Sequence, residues 1–192
     1  MAESRVAADA VEFLCHDVFY ILLDLIVVEL DSRLHLRFVR CVVPEVGNQR
    51  DRLVGGVVGA QWGGSITGCS SSATVKGTGD VGGVAGQTNS NATMTACYAT
   101  GNVTSTGSST VNVYIGGFCG YNSTTVTACY WKNNKEQGIG YNKVGTDTEV
   151  TKVDGTDVTW QKAVDAMNTA LQNAGSEWRY ELTGALPTLR KQ

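Results

Sequence analysis

The side chains able to do chemistry are few in this chain, and their placement narrows what that chemistry could be. The only histidines are His16 and His35, so nothing beyond them offers a Ser-His or Cys-His pair for nucleophilic catalysis. Between residues 54 and 131 the single acid is Asp80, whereas cleavage of a glycosidic bond needs paired carboxylates, or calcium-binding aspartates, on one face. Glu136, Asp147, Glu149, Asp154 and Asp157 follow in a loop-like region and read as solvated turn residues. Six cysteines, at 15, 41, 69, 97, 119 and 129, form no C-x-x-C pair, which speaks against a zinc site. A formal net charge of -3, with Lys and Arg scattered, leaves no basic face for nucleic acid. The expectation is a protein that is not an enzyme and carries no metal or cofactor.

Aromatic and hydroxyl side chains remain. Trp62, Tyr98, Tyr121, Tyr130 and Trp131, with Tyr114 beside them, could line a sugar-binding groove, because aromatic faces stack on pyranose rings while Tyr and Trp keep a polar edge in water. The competing reading is that they are core. Ser65/Thr67, Thr93/Thr95 and Thr125/Thr127 form a T-x-T-like series resembling the flat hydroxyl arrays of ice-binding β-solenoids. The plainer account is that Thr is a good β residue on a solvated face, and it is preferred.

The elements that must position these residues follow from an internal repeat. Val54-Gly55-Gly56-Val57-Val58-Gly59 returns as Val81-Gly82-Gly83-Val84-Ala85-Gly86 and as Ile115-Gly116-Gly117-Phe118-Cys119-Gly120. Each copy is followed by a second block, ending Ile66-Thr67-Gly68-Cys69, Met94-Thr95-Ala96-Cys97 and Val126-Thr127-Ala128-Cys129. Thr104 to Val113 reads as a loop insertion in the longer second unit. Short β-branched runs punctuated by Gly, without helical periodicity, predict one solenoid turn per unit, with strands of successive coils stacked in parallel. The fold class is therefore mainly β: a short parallel β-helix of about three coils with a small C-terminal helix-plus-strand cap. The Ile66, Met94, Val126 column should point inward. Strict alternation would then turn Cys69, Cys97 and Cys129 outward, so burying both columns requires a corner at Gly68, Ala96 and Ala128. The three stacked cysteines are expected to be small buried hydrophobes, reduced rather than bridged.

Gly56-Val57-Val58-Gly59, Gly83-Val84-Ala85-Gly86 and Gly117-Phe118-Cys119-Gly120 resemble the G-L-hydrophobic-G core of the GLUG motif, with Val or Phe in place of Leu. Cys97-Tyr-Ala-Thr-Gly-Asn-Val103 is similar to that family's repeat as well. The resemblance spans residues 54–131, and the repeat dissolves after Trp131. It implies a bacterial cell-surface or secreted module for adhesion or ligand interaction, with a host glycan or matrix protein as partner. The alternative is a structural spacer that displays another domain.

Residues 1–53 differ in kind, with no Thr, no Lys and six Arg. Asp17, Asp24, Glu29 and Asp31 interrupt their apolar run, so no transmembrane segment is expected. The acidic start and the missing cleavage pattern do not read as a signal peptide. This stretch is either a cap over the open solenoid end or a segment foreign to the natural protein, such as a misassigned start, and the composition break favours the second. Residues 132–156 read as a loop or last irregular coil. Over residues 157–192, Thr159 caps a helix bearing Trp160, Val164, Met167 and Leu171 on one face, and Gly175 stops it. Trp178 to Leu182 reads as a strand, Gly184 to Leu189 as a closing turn, and the whole as a cap on the open end of the solenoid.

Overall fold

A computed structural model describes residues 39–40, 52–107, 113–145 and 150–192. Apart from Val39–Arg40, the expectations for residues 1–51 lie outside the described residues. The first coil holds β2 (Leu53–Gly55), β3 (Val58–Gln61), β4 (Gly64–Thr67), β5 (Ser70–Ser71) and β6 (Val75–Gly77), and β1 (Val39–Arg40) pairs antiparallel with β3. The second holds β7 (Asp80–Gly82), β8 (Ala85–Thr88), β9 (Ala92–Thr95), β10 (Tyr98–Ala99) and β11 (Val103–Ser105). The third holds β12 (Ile115–Gly116), β13 (Cys119–Asn122), β14 (Thr125–Thr127) and β15 (Cys129–Trp131). Equivalent strands pair in parallel from coil to coil: β2 with β7 and β12, β3 with β8 and β13, β4 with β9 and β14, β5 with β10 and β15, and β6 with β11. The chain is mainly β, with parallel sheets stacked as the repeat requires.

The repeat does not end at Trp131. β16 (Ile139–Asn142) adds to β13, and β17 (Val150–Lys152) adds to β15, so residues expected to be irregular supply two strands of a fourth coil.

Register places the Ile66, Met94 and Val126 side chains one above another, all buried. They meet Val58, Val84, Phe118, Cys97 and Cys129 in one core running along the stack. The expected corner is present. Gly68, Ala96 and Ala128 take φ of 65°, 54° and 48°, the left-handed turn that swings the next residue inward against strict alternation. At the other corner, Val57 and Val58 both donate their amides to Val84 O, and Val84 and Ala85 both donate to Phe118 O. That approach excludes side chains from the neighbouring positions: a Cβ on Gly83 would stand 2.3 Å from Gly117 O, and one on Gly86 2.5 Å from Val54 N.

A polar column that the sequence did not suggest runs through the interior. Gln61 is in register with Thr88, and Asn122 with Asn142. Thr88 Oγ1 donates to Asn122 Oδ1 at 2.8 Å, and Asn122 Nδ2 donates to Thr124 O and Asn142 Oδ1. Gln61 Nε2 donates to Gly64 O and Thr93 O. Each buried amide thus ties one strand to the turn that follows it and to the next coil, which fixes the stacking distance where side-chain packing alone would not.

The C-terminal segment forms α1 (Trp160–Asn173), capped by Thr159 Oγ1 accepting from Lys162 N, then a hairpin of β18 (Trp178–Glu181) and β19 (Thr188–Lys191). Trp160, Val164, Met167 and Leu171 face inward as their spacing predicts, and Gly175 follows the helix at φ 70°. The expected closing turn is shorter than anticipated, since Thr188 and Leu189 already belong to β19. The larger correction concerns position. This unit lies along the flank of the solenoid, not over its end: it packs on Ala96, Tyr98, Ala128, Tyr130 and Val153, which come from successive coils, while Leu171 and Leu189 reach Gly68 of the first. The left-handed corner leaves a flat strip of small residues there, and the apolar face of α1 covers it.

Candidate functional site

The five aromatic residues singled out above do not share a surface. Within β15 the side chains alternate: Cys129 and Trp131 enter the solenoid core, while Tyr130 points out and is covered by the cap. Trp131 fits because its neighbours lack side chains, a Cβ on Gly138 falling 2.5 Å from the indole. Its indole N–H donates to Lys135 O at 3.1 Å. Tyr98 is likewise covered, with its ring edge-on to Trp160 and Tyr180, at centroid distances of 5.1 and 5.8 Å, and its hydroxyl donating to Pro187 O at 2.6 Å. Tyr98, Tyr130 and Trp131 are therefore core residues that face no solvent groove. Trp62 is exposed, at 51%, on the turn between β3 and β4.

Tyr121 belongs to a different arrangement. On the outer face of the sheet β3-β8-β13-β16 it is in register with Tyr141, and the two rings stack at 5.2 Å with an interplanar angle of 22°. Tyr114 closes the group, 5.7 Å from Tyr121 and 4.9 Å from Tyr141. Tyr141 is 44% exposed. It was missed in the sequence although the signal was there: Gly120-Tyr121-Asn122 returns as Gly140-Tyr141-Asn142, with Asn inward and Tyr outward in both.

Next to the tyrosines lies an open recess lined by Arg52, Leu53, Gly79, Asp80 and Gln87. Two links make recess and rings continuous. Gln87 is the strand neighbour of Tyr121, and Val81, beside Asp80, donates its amide to Tyr114 O at 2.9 Å. Partial burial pushes the Asp80 carboxyl up to about 6, against the opposing pull of the Tyr114 backbone amide and the Arg52 charge. It is the one acid between residues 54 and 131, and it stands on the rim of a surface recess.

The hydroxyl series also stacks as drawn from sequence. Ser65, Thr93 and Thr125 are in register and exposed, as are the partners Thr67, Thr95 and Thr127, the last two half-covered. Thr93 Oγ1 donates to Ser65 Oγ at 2.8 Å, so part of this array satisfies itself.

Residues 51–76 match the family model described as the GLUG motif. That match is consistent with a protein built from GLUG-motif repeats. No curated protein and no solved structure matches it significantly. The matched stretch is the first coil, and the parallel registers carry the same motif geometry into the second and third. In each GLUG coil the first motif residue after the leading glycine offers the corner carbonyl or amide described above, and the next enters the core, which is why the motif demands hydrophobic residues between glycines.

The GLUG repeats also stack Cys69, Cys97 and Cys129, all as free thiols, with Cys97 and Cys129 buried and Cys69 half-buried. Cys69 N and Cys97 N lie 3.4 and 3.3 Å from the sulfur one coil further on. Burial holds the Cys97 thiol far above its ordinary range, and its neighbour Cys129 adds to the shift. Such a thiol is a poor nucleophile. Among the described residues no three His, Cys, Asp or Glu side chains converge as a metal site, and no helix is long and apolar enough to cross a membrane.

Proposed function

We propose that this repeat module is non-enzymatic and acts outside the cell or on its surface, binding a host glycan or matrix protein through the outer face of the sheet β3-β8-β13-β16. One observation carries the reading: three tyrosines from separate positions converge on a solvent-facing sheet surface, with Tyr141 left open at its edge. Burying those rings elsewhere would have served stability. Placing them on the outside supplies large, rigid contact area with polar edges, the composition that interfaces favour. The family match supports a β-helix repeat module, and the similarity is the support for reading it as extracellular.

The test is binding of the full chain to an array of host glycans and matrix proteins, with Tyr141→Ala and Trp62→Ala alongside. Saturable binding lost in Tyr141→Ala but kept in Trp62→Ala supports the tyrosine face. Absence of binding by a sample with native circular dichroism overturns it and favours a spacer.

A further inference from the structure

We infer that the recess bounded by Arg52, Asp80 and Gln87, next to the tyrosine stack, is a subsite for one uncharged pyranose residue of a glycan chain. This deepens the proposed ligand-binding role and rests on it.

The lining supports that ligand class. Leu53 and Gly79 give the recess an apolar side, while Arg52, Asp80 and Gln87 give it donors and an acceptor. A pyranose has the matching division, a face of C–H groups and a rim of hydroxyls that both donate and accept. A mostly apolar ligand would strip water from Asp80 and leave the Tyr114 amide to compensate for it. A charged ligand is disfavoured as well, because Arg52 and Asp80 offset one another at the recess. A peptide strand cannot add to β7, which carries Asp80, or to β8, which carries Gln87, because both are paired on both sides.

The position of the recess supplies the second argument. The register column of this sheet runs from the buried Ala60 through Gln87 to Tyr121 and Tyr141, so its aromatic half begins one strand beyond Gln87. A sugar held by Asp80 and Gln87 lies against the end of the tyrosine stack, and further residues of the same chain continue over Tyr121 toward Tyr141. The recess then fixes one residue by hydrogen bonds, and the rings hold the rest by stacking.

The experiment is a titration of the isotopically labelled full chain with the methyl pyranosides of glucose, galactose and mannose, followed by NMR. Expected are saturable shifts at Asp80, the Gln87 side-chain amide and the Tyr114 amide for at least one configuration. A trisaccharide ending in that sugar should bind about fivefold tighter through added stacking. Asp80→Asn and Gln87→Ala should each weaken the methyl pyranoside about tenfold. Tyr141→Ala should weaken only the trisaccharide. If array ligands bind and are lost in Tyr141→Ala, yet no pyranoside shifts Asp80 or Gln87 and both recess variants bind like the parent, the subsite is overturned while the tyrosine face stands. Shifts confined to Trp62 would overturn both, and so would a folded protein that binds neither the array nor any pyranoside.

Discussion

Two tyrosine columns stand on two flanks of the same solenoid, and they meet opposite fates. Tyr98 and Tyr130 project from β10 and β15, one above the other, and Tyr121 and Tyr141 project likewise from β13 and β16. The first pair is sealed under α1 and the hairpin, while the second stays in water beside a polar recess. The solenoid itself treats the two flanks alike, because outward positions of a strand carry no information about what lies beyond them. The left-handed corner makes the difference. Gly68, Ala96 and Ala128 leave a strip without bulk beside Tyr98 and Tyr130, and a helix can approach it closely. The opposite flank has no such strip, and its tyrosines pack on each other. One flank is therefore sealed by the cap, and the other keeps its rings open to solvent.

The sharpest way to break this contrast is to remove the cap. Trp160 is buried against Tyr98 in the centre of the flank cluster. Trp160→Ala should destabilise the protein by about 3–5 kcal/mol, by the usual cost of emptying a large aromatic site. Tyr141→Ala on the open flank should cost under about 1 kcal/mol. Urea denaturation of the two variants checks this, and equal losses would mean that the second column is structural too.

A smaller effect separates the hydroxyls. Tyr98 donates to Pro187 O, and Tyr180 donates to Ala96 O at 3.0 Å, both bonds being buried. Tyr98→Phe leaves a buried carbonyl unpaired and should cost about 1–3 kcal/mol, whereas Tyr121→Phe should be neutral within about 0.5 kcal/mol. The same denaturation series reads both.

The open flank should also respond to pH through Asp80. Its folded-state value, raised to about 6 chiefly by burial, exceeds the ordinary value of 3.8 expected when the chain unfolds. Stability from this group is therefore complete below about pH 4 and is lost as pH rises through about 6. Because the carboxyl is half exposed, solvent screening keeps the change small. Thermal melts of the parent and Asp80→Asn between pH 4 and 7 should differ in slope, the parent losing stability relative to the variant as pH rises. Parallel profiles would place Asp80 in water, outside the recess.

The coil stacking was legible because glycine spacing and hydrophobic blocks recur in order, and because Val126 and Cys129 could both be buried only with a corner between them. The fourth coil escaped because its Gly-Gly block shrinks to Gly138-Ile139-Gly140, although the Gly-Tyr-Asn echo announced it. The buried amide column escaped for another reason: Gln61, Thr88 and Asn122 share a register but not a residue type, so they form no visible repeat. The fates of the tyrosines were hidden most completely. Cys97-Tyr98 and Gly120-Tyr121 both read as outward aromatics, and only the docking of a segment much later in the chain decides which is covered.

That docking can be probed where it is weakest, at the corner itself. An Ala with φ near 50° carries a strain of about 1 kcal/mol that glycine relieves. Glycine in turn loosens the unfolded chain by a comparable amount, so the two backbone effects nearly cancel. Ala96→Gly and Ala128→Gly each also give up a methyl buried under the cap and should each cost about 0.8 kcal/mol. Gly68→Ala runs the other way, adding strain at φ 65° and pressing a Cβ to 3.2 Å from Leu189, which should cost about 1–2 kcal/mol. These losses, read by chemical denaturation, follow from a cap that lies along all three corners; an Ala96→Gly or Ala128→Gly variant as stable as the parent would mean that the cap does not bear on that corner, and the contrast between the flanks would then rest on Trp160 and the tyrosines alone.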